Sequence, residues 1–346
     1  MNLHRFIFAC ALALLMSVTT AANAQESCGY TLAVLKSGFE RGEQPSQVAL
    51  SPQNTPLTLN VIYPAEGATI NASRIQLYGS FTGPVNTGIT VNGLLSAATN
   101  ATQFTFAPLA LADGPQVLTI TAKTVDGGTQ TVVRNIIVNS AGFDPVRFNS
   151  LARGGFAPFR GKFNLSTTVP AGQTTAVRFE IDFDGDGIFE IDSPTAPATT
   201  FSYEYQSAGV YLARARVSFD DGQTPTPVEV REGTFRIHAD TIAFTRQTLC
   251  SVYYEMKHRL QAGQIAQAGN TLSPRIRTRF VTYWNANAAS VPTTAGKLGE
   301  IVVGQISDIS AQFQVAIPIA GSPGQARGYP LLFARSTDGV WRITGM

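Results

Sequence analysis

Short runs of alternating apolar and polar residues, separated by turn signals, occupy most of the chain and limit what it can fold into. Leu57, Leu59 and Val61 alternate in this way, which is the period of a half-buried β-strand. Asn92-Gly93 follows one such run and is a strong hairpin signal. Because these runs recur about every ten residues between 56 and 238 with no helical pattern, the sequence predicts β-sandwiches there.

The last hundred residues follow a different pattern, in which helical signals come first. Leu249, Tyr253, Met256 and Leu260 lie at i, i+4, i+7 and i+11, on one face of a helix. Gly263 is placed to end that helix.

A second helix is predicted to begin at Pro274, with Ser273 as its N-cap. Its apolar stripe consists of Ile276, Phe280 and either Tyr283 or Trp284. Strand-like runs follow at 301–306, 311–317, 329–334 and 340–343. Helices followed by an antiparallel sheet indicate an α+β unit.

Residues 1–24 have the pattern of a secretory signal peptide. Arg5 supplies the positive start, Phe6–Val18 is a short apolar run, and Ala22-Asn23-Ala24 is a small-residue cleavage site. No later segment reaches the roughly 20 apolar residues that a membrane span needs. We therefore expect a secreted or periplasmic protein without a membrane span, cleaved near Ala24, with residues 25–55 forming an extended leader.

The charge and the cysteines exclude some functions and leave others open. The chain has 25 Lys and Arg against 23 Asp and Glu, a formal net charge of +2, which gives no reason to expect nucleic acid as a partner. Cys10 lies in the signal, so Cys28 and Cys250 remain. An oxidising compartment permits a disulfide between them, and the alternative is two buried, unpaired thiols.

Two segments resemble known β modules. In residues 56–140 the matching positions are Pro64–Ile70, Gly79, Val91-Asn92-Gly93, Phe104, Gly114 and Leu118–Ala122. They resemble the bacterial immunoglobulin-like modules of extracellular proteins, and the resemblance implies a sandwich used as a spacer, with no activity.

In residues 145–238 the matching positions are Gly155, Ala157, Pro158, Asp182–Gly187, Tyr205, Gly209, Tyr211, Val217 and Asp221-Gly222. They are similar to a polycystic kidney disease-type (PKD) domain, although Phe179 or Ile181 stands in the region of its usual tryptophan. The resemblance implies a second sandwich that serves for spacing or for contact with carbohydrate or protein.

The third segment, residues 243–346, resembles the nuclear transport factor 2-like, or cystatin-like, cone fold. The matching positions are Leu260, Ala262, Gly263, Ile265, Ala268, Gly328–Leu331, Phe333 and Asp338–Ile343. The expected fold class is therefore multidomain: two all-β immunoglobulin-like sandwiches followed by an α+β cone-shaped domain. Members of this superfamily include isomerases, dehydratases and many proteins that only bind ligands or partners.

The most specific chemistry lies in the run Phe179–Phe189. Asp182, Asp184 and Asp186 stand at alternate positions, and Gly185 and Gly187 let the backbone fold around a bound cation. Three such carboxylates repel one another unless a cation lies among them. Hard oxygen ligands favour calcium.

Compared with the twelve-position calcium loop, the three aspartates occupy positions 1, 3 and 5. The carbonyl of Ile188 is at position 7 and Glu190 is at position 9, while Asp192 lies one residue before position 12. The predicted metal ligands of a weak, structural Ca²⁺ site are Asp182, Asp184, Asp186, Ile188, Glu190 and Asp192. The alternative is an acidic hairpin in which Asp and Gly serve the turn geometry.

No catalytic motif is present. His238 and His258 are the histidines left after cleavage, and neither stands at motif spacing from a carboxylate or thiol. An isomerase-like site in the C-terminal segment rests on fold analogy alone. Its base would come from Asp240, Glu255, Glu300, Asp308 or Asp338, and its hydrogen-bond donor from Tyr253, Tyr254 or Tyr329.

The sequence therefore favours an exported, non-catalytic binding or scaffolding protein. Its sandwiches act as spacers, with calcium stiffening the second, and its last domain contacts a ligand or protein. The expected partner is a protein or glycan at the cell envelope. One alternative is an exported enzyme with a small-molecule pocket in the C-terminal domain, which predicts a buried carboxylate facing a tyrosine. The other is a carbohydrate-recognition accessory protein, which predicts a planar row of exposed aromatic side chains on one sandwich face.

Overall fold

The computed structural model describes residues 26–27, 30–31, 47–48, 55–95, 98–99, 102–106, 108–141, 144–150, 154–195, 198–223, 229–307, 309–321 and 325–346. The fold is mostly β, with several sheets and a helical region towards the C-terminal end. The predicted signal peptide and Cys28 lie outside these residues. In the described part, no helix is both long and apolar enough to cross a membrane.

Three two-residue strands come first: β1 (Glu26–Ser27), β2 (Tyr30–Thr31) and β3 (Gln47–Val48). β1 pairs with β3 in the antiparallel sense. β2 instead joins the C-terminal sheet, where Tyr30 lies opposite Val303 in a parallel pair. The described parts of the predicted leader therefore belong partly to the last unit of the chain, which the sequence does not indicate.

The first unit consists of strands β4 (Thr58–Tyr63), β5 (Thr69–Ile70), β6 (Arg74–Ile75), β7 (Tyr78–Thr82), β8 (Gly88–Val91), β9 (Leu94–Leu95), β10 (Ala98–Thr99), β11 (Gln103–Thr105), β12 (Leu109–Ala110), β13 (Gly114–Lys123) and β14 (Thr129–Val138). Two sheets, β10-β11-β7-β4 and β5-β14-β13-β8-β9, enclose one hydrophobic core. The hairpin predicted at Asn92-Gly93 is confirmed: both residues have positive φ, and Val91 pairs with Leu94.

The second unit consists of strands β15 (Val146–Ser150), β16 (Gly155–Phe156), β17 (Phe159–Thr167), β18 (Thr175–Asp182), β19 (Ile191–Ser193), β20 (Thr200–Tyr205), β21 (Gly209–Asp220) and β22 (Glu229–Asp240). Its sheets, β15-β17-β20 and β16-β22-β21-β18-β19, enclose a second core rich in aromatic side chains. Phe148 stacks on Phe163 at 5.1 Å, and Phe163 meets Phe183 at 5.3 Å between ring centroids. This aromatic core lies directly beneath the acidic loop that follows β18.

The third unit consists of helices α1 (Ile242–Gln261), α2 (Ile265–Asn270), α3 (Pro274–Ala286) and α4 (Val291–Gly296), followed by strands β23 (Glu300–Ile306), β24 (Ser310–Pro318), β25 (Ala326–Arg335) and β26 (Trp341–Gly345). The sheet order is β2-β23-β24-β25-β26. The helices pack on this sheet and share its core.

The helical pattern of the third unit is confirmed in its main points. α1 ends before Gly263, whose φ of 71° lets it close the helix, and α3 begins at Pro274 after Ser273. Trp284 completes the buried stripe, because it is 7% exposed whereas Tyr283 is 64% exposed. Cys250 of α1 is disulfide-bonded, and its partner lies outside the described residues.

The units do not form an extended row. The side-chain amide of Gln76 in the first unit bonds both backbone groups of Arg236 in the second, at 2.6 Å to the carbonyl and 2.7 Å from the amide nitrogen. Asn86 does the same with Trp341 of the third unit, at 2.9 Å in both directions. These hydrogen bonds hold the first unit against both other units, an arrangement that the sequence does not indicate.

Candidate functional site

The acidic loop between β18 and β19 is a closed turn held by its own carboxylates. Asp182, at the end of β18, accepts hydrogen bonds from the backbone nitrogens of Gly185 at 2.5 Å and Gly187 at 3.1 Å. Both glycines have positive φ, at 81° and 90°, which explains why glycine stands there. The loop therefore folds around a fully buried Asp182.

Three carboxylates meet inside this loop. Oxygens of Asp182, Asp184 and Glu190 lie within 4.8 Å of one another, a grouping that could hold a metal ion. Glu190 also accepts a hydrogen bond from the Phe183 nitrogen at 2.8 Å, and the Tyr203 hydroxyl donates a hydrogen bond to Asp184 at 3.0 Å. The acidic loop thus gathers negative charge above the aromatic core.

Burial and the negative charge of the acidic loop both raise the pKa values of neighbouring groups. Burial, together with the nearby charges of Asp184 and Asp182, raises the pKa of the Glu190 carboxyl above its usual value. Burial and the hydrogen bond to Asp184 raise the pKa of Tyr203 to about 12. Arg214, whose Nε lies 3.8 Å from an Asp182 oxygen, supplies partial compensation.

The other predicted ligands lie elsewhere. Asp186 is exposed and accepts a hydrogen bond from the Ile188 nitrogen at 2.7 Å, and the Ile188 side chain is 70% exposed. Asp192 forms a two-pronged ion pair with Arg178, at 2.9 and 2.8 Å. Of the six predicted positions, the described structure brings together the carboxylates of three, and the ligand set stays a prediction.

A second candidate site is an apolar cavity in the third unit, lined by helices on one side and by β24 and β25 on the other. Its volume is about 290 Å³. The lining consists of Tyr253, Met256, Leu260, Phe280, Tyr283, Trp284, Asn287, Ser290, Val291, Thr294, Ala295, Leu298, Val315, Ile317, Tyr329, Pro330, Leu331 and Met346. Aromatic, aliphatic and thioether groups dominate this surface, and none of these described lining side chains carries a charge.

Two tyrosines named as candidate donors hold the helix to the sheet. The Tyr253 hydroxyl donates to the Gly299 carbonyl at 2.8 Å, and the Tyr254 hydroxyl accepts from the Ile301 nitrogen at 3.3 Å. Tyr329 lies at the cavity and is 44% exposed. Tyr253 and Tyr254 are therefore anchored to the backbone of the sheet.

Among the described residues, the carboxylates named as candidate bases do not line the cavity. Glu255 forms an ion pair with Arg259, and burial raises its pKa to about 7. Asp338 is bound by Arg342 at 2.7 and 2.8 Å. Burial raises the pKa of Asp240 to about 6, and Glu300 is exposed at the start of β23. Asp308 lies outside the described residues.

The two histidines also lie away from the cavity lining. His238 is fully buried in β22, and neither ring nitrogen has a hydrogen-bond partner among the described residues. Burial lowers its pKa to about 4, so it is neutral at physiological pH. His258 lies on α1.

The described residues of the sandwich faces do not show the row of exposed aromatic side chains that the carbohydrate alternative predicts. In the described parts of the two β units, the large exposed aromatic side chain is Tyr63, at 37%. It stacks on Tyr78 at 5.7 Å, and the guanidinium of Arg236 lies 3.7 Å from the Tyr78 ring centroid. These two rings take part in the contact between the first and second units.

Neither a protein-family model nor a curated protein matches the chain. Several solved structures match parts of the chain. Dimeric latent PorU from Porphyromonas gingivalis is 13% identical, with 54% of this chain and 20% of that chain covered and a TM-score of 0.28. The D00-D0 domain of intimin is 10% identical, with 54% of this chain and 100% of that chain covered and a TM-score of 0.20.

SGBP-B of the Bacteroides ovatus mixed-linkage glucan utilization locus, solved with a mixed-linkage heptasaccharide, is 13% identical. The match covers 52% of this chain and 47% of that chain, with a TM-score of 0.17. The chain thus spans about a fifth of the PorU chain and about half of the SGBP-B chain.

Proposed function

We propose that this is an exported, non-catalytic binding protein whose third unit holds a small, neutral, apolar ligand in the cavity between its helices and its sheet. The observation that carries the proposal is the cavity itself, about 290 Å³ in volume and lined by uncharged side chains. Binding pockets for small molecules have volumes of roughly 300–1,000 Å³ and are mainly apolar with a few polar groups.

The lining indicates what kind of ligand fits. Phe280, Trp284 and Met256 offer apolar surface, and burying such surface contributes about 25 cal/mol per Å². A charged group placed there would lose its hydration without gaining an ion partner, which costs several kcal/mol. Asn287 and Thr294 belong to the turn after α3 and to α4, and they offer a place for one hydrogen-bonding group of the ligand.

Export and the finer fold assignments form part of the proposal. The disulfide at Cys250 supports an oxidising compartment, because disulfides persist there and are rare in the cytosol. Paired sheets around a shared core support two sandwiches of immunoglobulin-like and PKD type, and helices over a five-stranded sheet support a cone-shaped third domain. A protein or glycan at the cell envelope remains the expected partner.

Titration with a neutral, environment-sensitive dye such as Nile red tests the proposal. The parent chain should bind the dye saturably. Ala295→Phe adds a ring at a buried lining position and should weaken binding at least tenfold. Ala326→Phe, at an exposed position outside the lining, is the matched control and should bind as the parent does.

Over-packing at Ala295 costs about 1–3 kcal/mol, so a melting curve must accompany the titration. Thr294→Phe, at an exposed lining position, provides a second block that leaves the core intact. Non-saturable binding by the parent would refute the proposal. So would a dye affinity in Ala295→Phe and Thr294→Phe equal to that of the parent.

A second proposal concerns the acidic loop, because three of its carboxylates converge. We propose that it holds a structural calcium ion with a dissociation constant of ~10⁻⁴–10⁻³ M. At ten times that constant, calcium stabilises the folded chain by about 1.4 kcal/mol. The melting temperature should therefore rise with millimolar calcium in the parent and in Asp113→Asn, an exposed control, but not in Asp184→Asn. A melting temperature that does not respond in the parent contradicts the site.

A further inference from the structure

The first unit docks on the third through one end of its sandwich. Asn86 lies in the β7–β8 connection and Asp126 in the β13–β14 turn, so both contacts come from loops at that end. Asn86 bonds both backbone groups of Trp341 at the start of β26, and Asp126 forms two hydrogen bonds with Arg259 of α1, at 2.7 and 2.6 Å. These units are not neighbours in sequence, so the fold itself brings them together.

A close contact between two glycine backbones, Gly88 and Gly339, also joins the first unit to the third. A Cβ at Gly88 would overlap the carbonyl oxygen of Asp338, and a Cβ at Gly339 would lie 2.8 Å from the Cα of Gly88. Real Cβ atoms essentially never approach so closely. The two backbones therefore touch directly, and larger residues at either position would separate the units.

Two clusters of ion pairs also join the first unit to the third. Asp338 of the third unit binds its own Arg342 and lies 3.2 Å from Lys123 of the first unit. Arg259 binds both Glu255 on its own helix and Asp126 of the first unit. Asn270 adds a hydrogen bond to Asp126 at 3.1 Å. Each of the two clusters spans the junction, so the docked arrangement is specific in charge as well as in shape.

The elements of the third unit that contact the first unit also line the cavity. On α1, Glu255 and Arg259 belong to the junction, while the adjacent residues Met256 and Leu260 line the cavity. β26 begins at Trp341, which is bonded to Asn86, and the residue after its end is Met346, another lining residue. One helix and one strand thus reach from the junction to the binding site.

We propose that docking of the first unit sets the affinity of the cavity for its ligand, by holding α1 and β26 in the ligand-binding arrangement. This inference rests on the proposed function, because it describes the regulation of the same cavity. Coupling between two sites is reciprocal: if docking tightens ligand binding, the bound ligand tightens docking by the same factor. Typical couplings change affinity about 5–150-fold.

The first arm of the test measures Nile red affinity in variants that weaken the junction. Gly88→Val separates the backbones, and Asp126→Asn removes the charge at the Arg259 contact in case the valine variant does not fold. Both should bind the dye about tenfold more weakly than the parent. The control is Asp113→Asn, an aspartate of the same unit that bonds Ser140 instead, and it should bind as the parent does.

The second arm uses the parent chain and needs no variant. The Trp341 backbone amide donates to Asn86, so its hydrogen exchange reports docking. Saturating dye should slow exchange at Trp341 and in the junction segments 84–88 and 124–128. If the parent binds dye but exchange there does not change and the junction variants bind equally well, the coupling is refuted while the proposed function stands. If the parent binds no dye saturably, both are refuted.

Discussion

Replacing Asn86 by alanine tests how firmly the first unit is attached to the third. The amide of Asn86 satisfies both backbone groups of Trp341, at 2.9 Å each, in a place where Asn86 is 7% and Trp341 8% exposed. Alanine leaves that buried N–H and C=O without partners. A buried polar group that loses its partner costs about 1–3 kcal/mol, so the two together should cost about 2–6 kcal/mol.

The assay is urea unfolding followed by tryptophan emission, since Trp341 lies at the junction and the chain has two tryptophans. Because three units can unfold separately, the loss should show as an earlier transition or as a split curve rather than a uniform shift. Asn164→Ala, at an exposed position of β17, is the matched control and should change stability by no more than about 0.5 kcal/mol. If Asn86→Ala unfolds with the same curve as Asn164→Ala, the junction does not contribute to stability and the docking argument is wrong.

Two further predictions concern pH. Burial raises the pKa of Glu255 in the folded state from 4.5 to about 7. Between these pH values the folded state binds more protons than the unfolded state, so its stability falls as pH rises. The free energy of unfolding of the parent, relative to that of Glu255→Gln, should therefore fall by up to about 3 kcal/mol from pH 4.5 to pH 7 and stay level above pH 7. Urea curves of both chains between pH 4.5 and 8.5 check this, and parallel pH profiles would contradict it. For His238 the direction is reversed: burial lowers its pKa from 6.5 to about 4, so stability is fully present above pH 6.5 and is lost as pH falls towards 4. Melting at pH 7 and pH 4.5 should show a smaller acid loss for His238→Leu than for the parent, and an equal loss in both chains would count against a buried, neutral imidazole.

The local structure follows from local sequence signals. The hairpin at Asn92-Gly93 and the helix end at Gly263 appear where turn chemistry predicts them, since only glycine and asparagine adopt these backbone angles at low cost. The stripe of α1 also follows from its spacing. α2 and α4 have six residues each, too few turns for an apolar period to indicate them.

The arrangement of the units could not be derived in the same way. The junction depends on Asn86, Gly88 and Asp126 meeting residues more than a hundred positions later, and no local pattern marks such a pair. The parallel pairing of β2 with β23 is equally non-local. The convergence of Asp182, Asp184 and Glu190 was indicated by spacing, whereas the ion pair of Asp192 with Arg178 depends on the pairing of β18 with β19.

The cavity could be expected only by analogy with a cone-shaped fold, because its lining comes from separate helices and strands. Its uncharged character also depends on where side chains such as Glu255 point. Sequence places Glu255 beside Met256, and the structure directs one to the junction and the other to the cavity.

Quenching of Trp284 in a chain carrying Trp341→Phe tests the central claim most directly, because Trp284 lines the cavity and is then the remaining tryptophan. A neutral brominated alkane quenches an indole that it touches. Occupation of the cavity predicts saturable quenching at low concentration, competed away by an unbrominated alkane of the same length. Quenching that rises linearly with concentration, as it does for free tryptophan in water, would contradict the claim that this unit holds an apolar ligand.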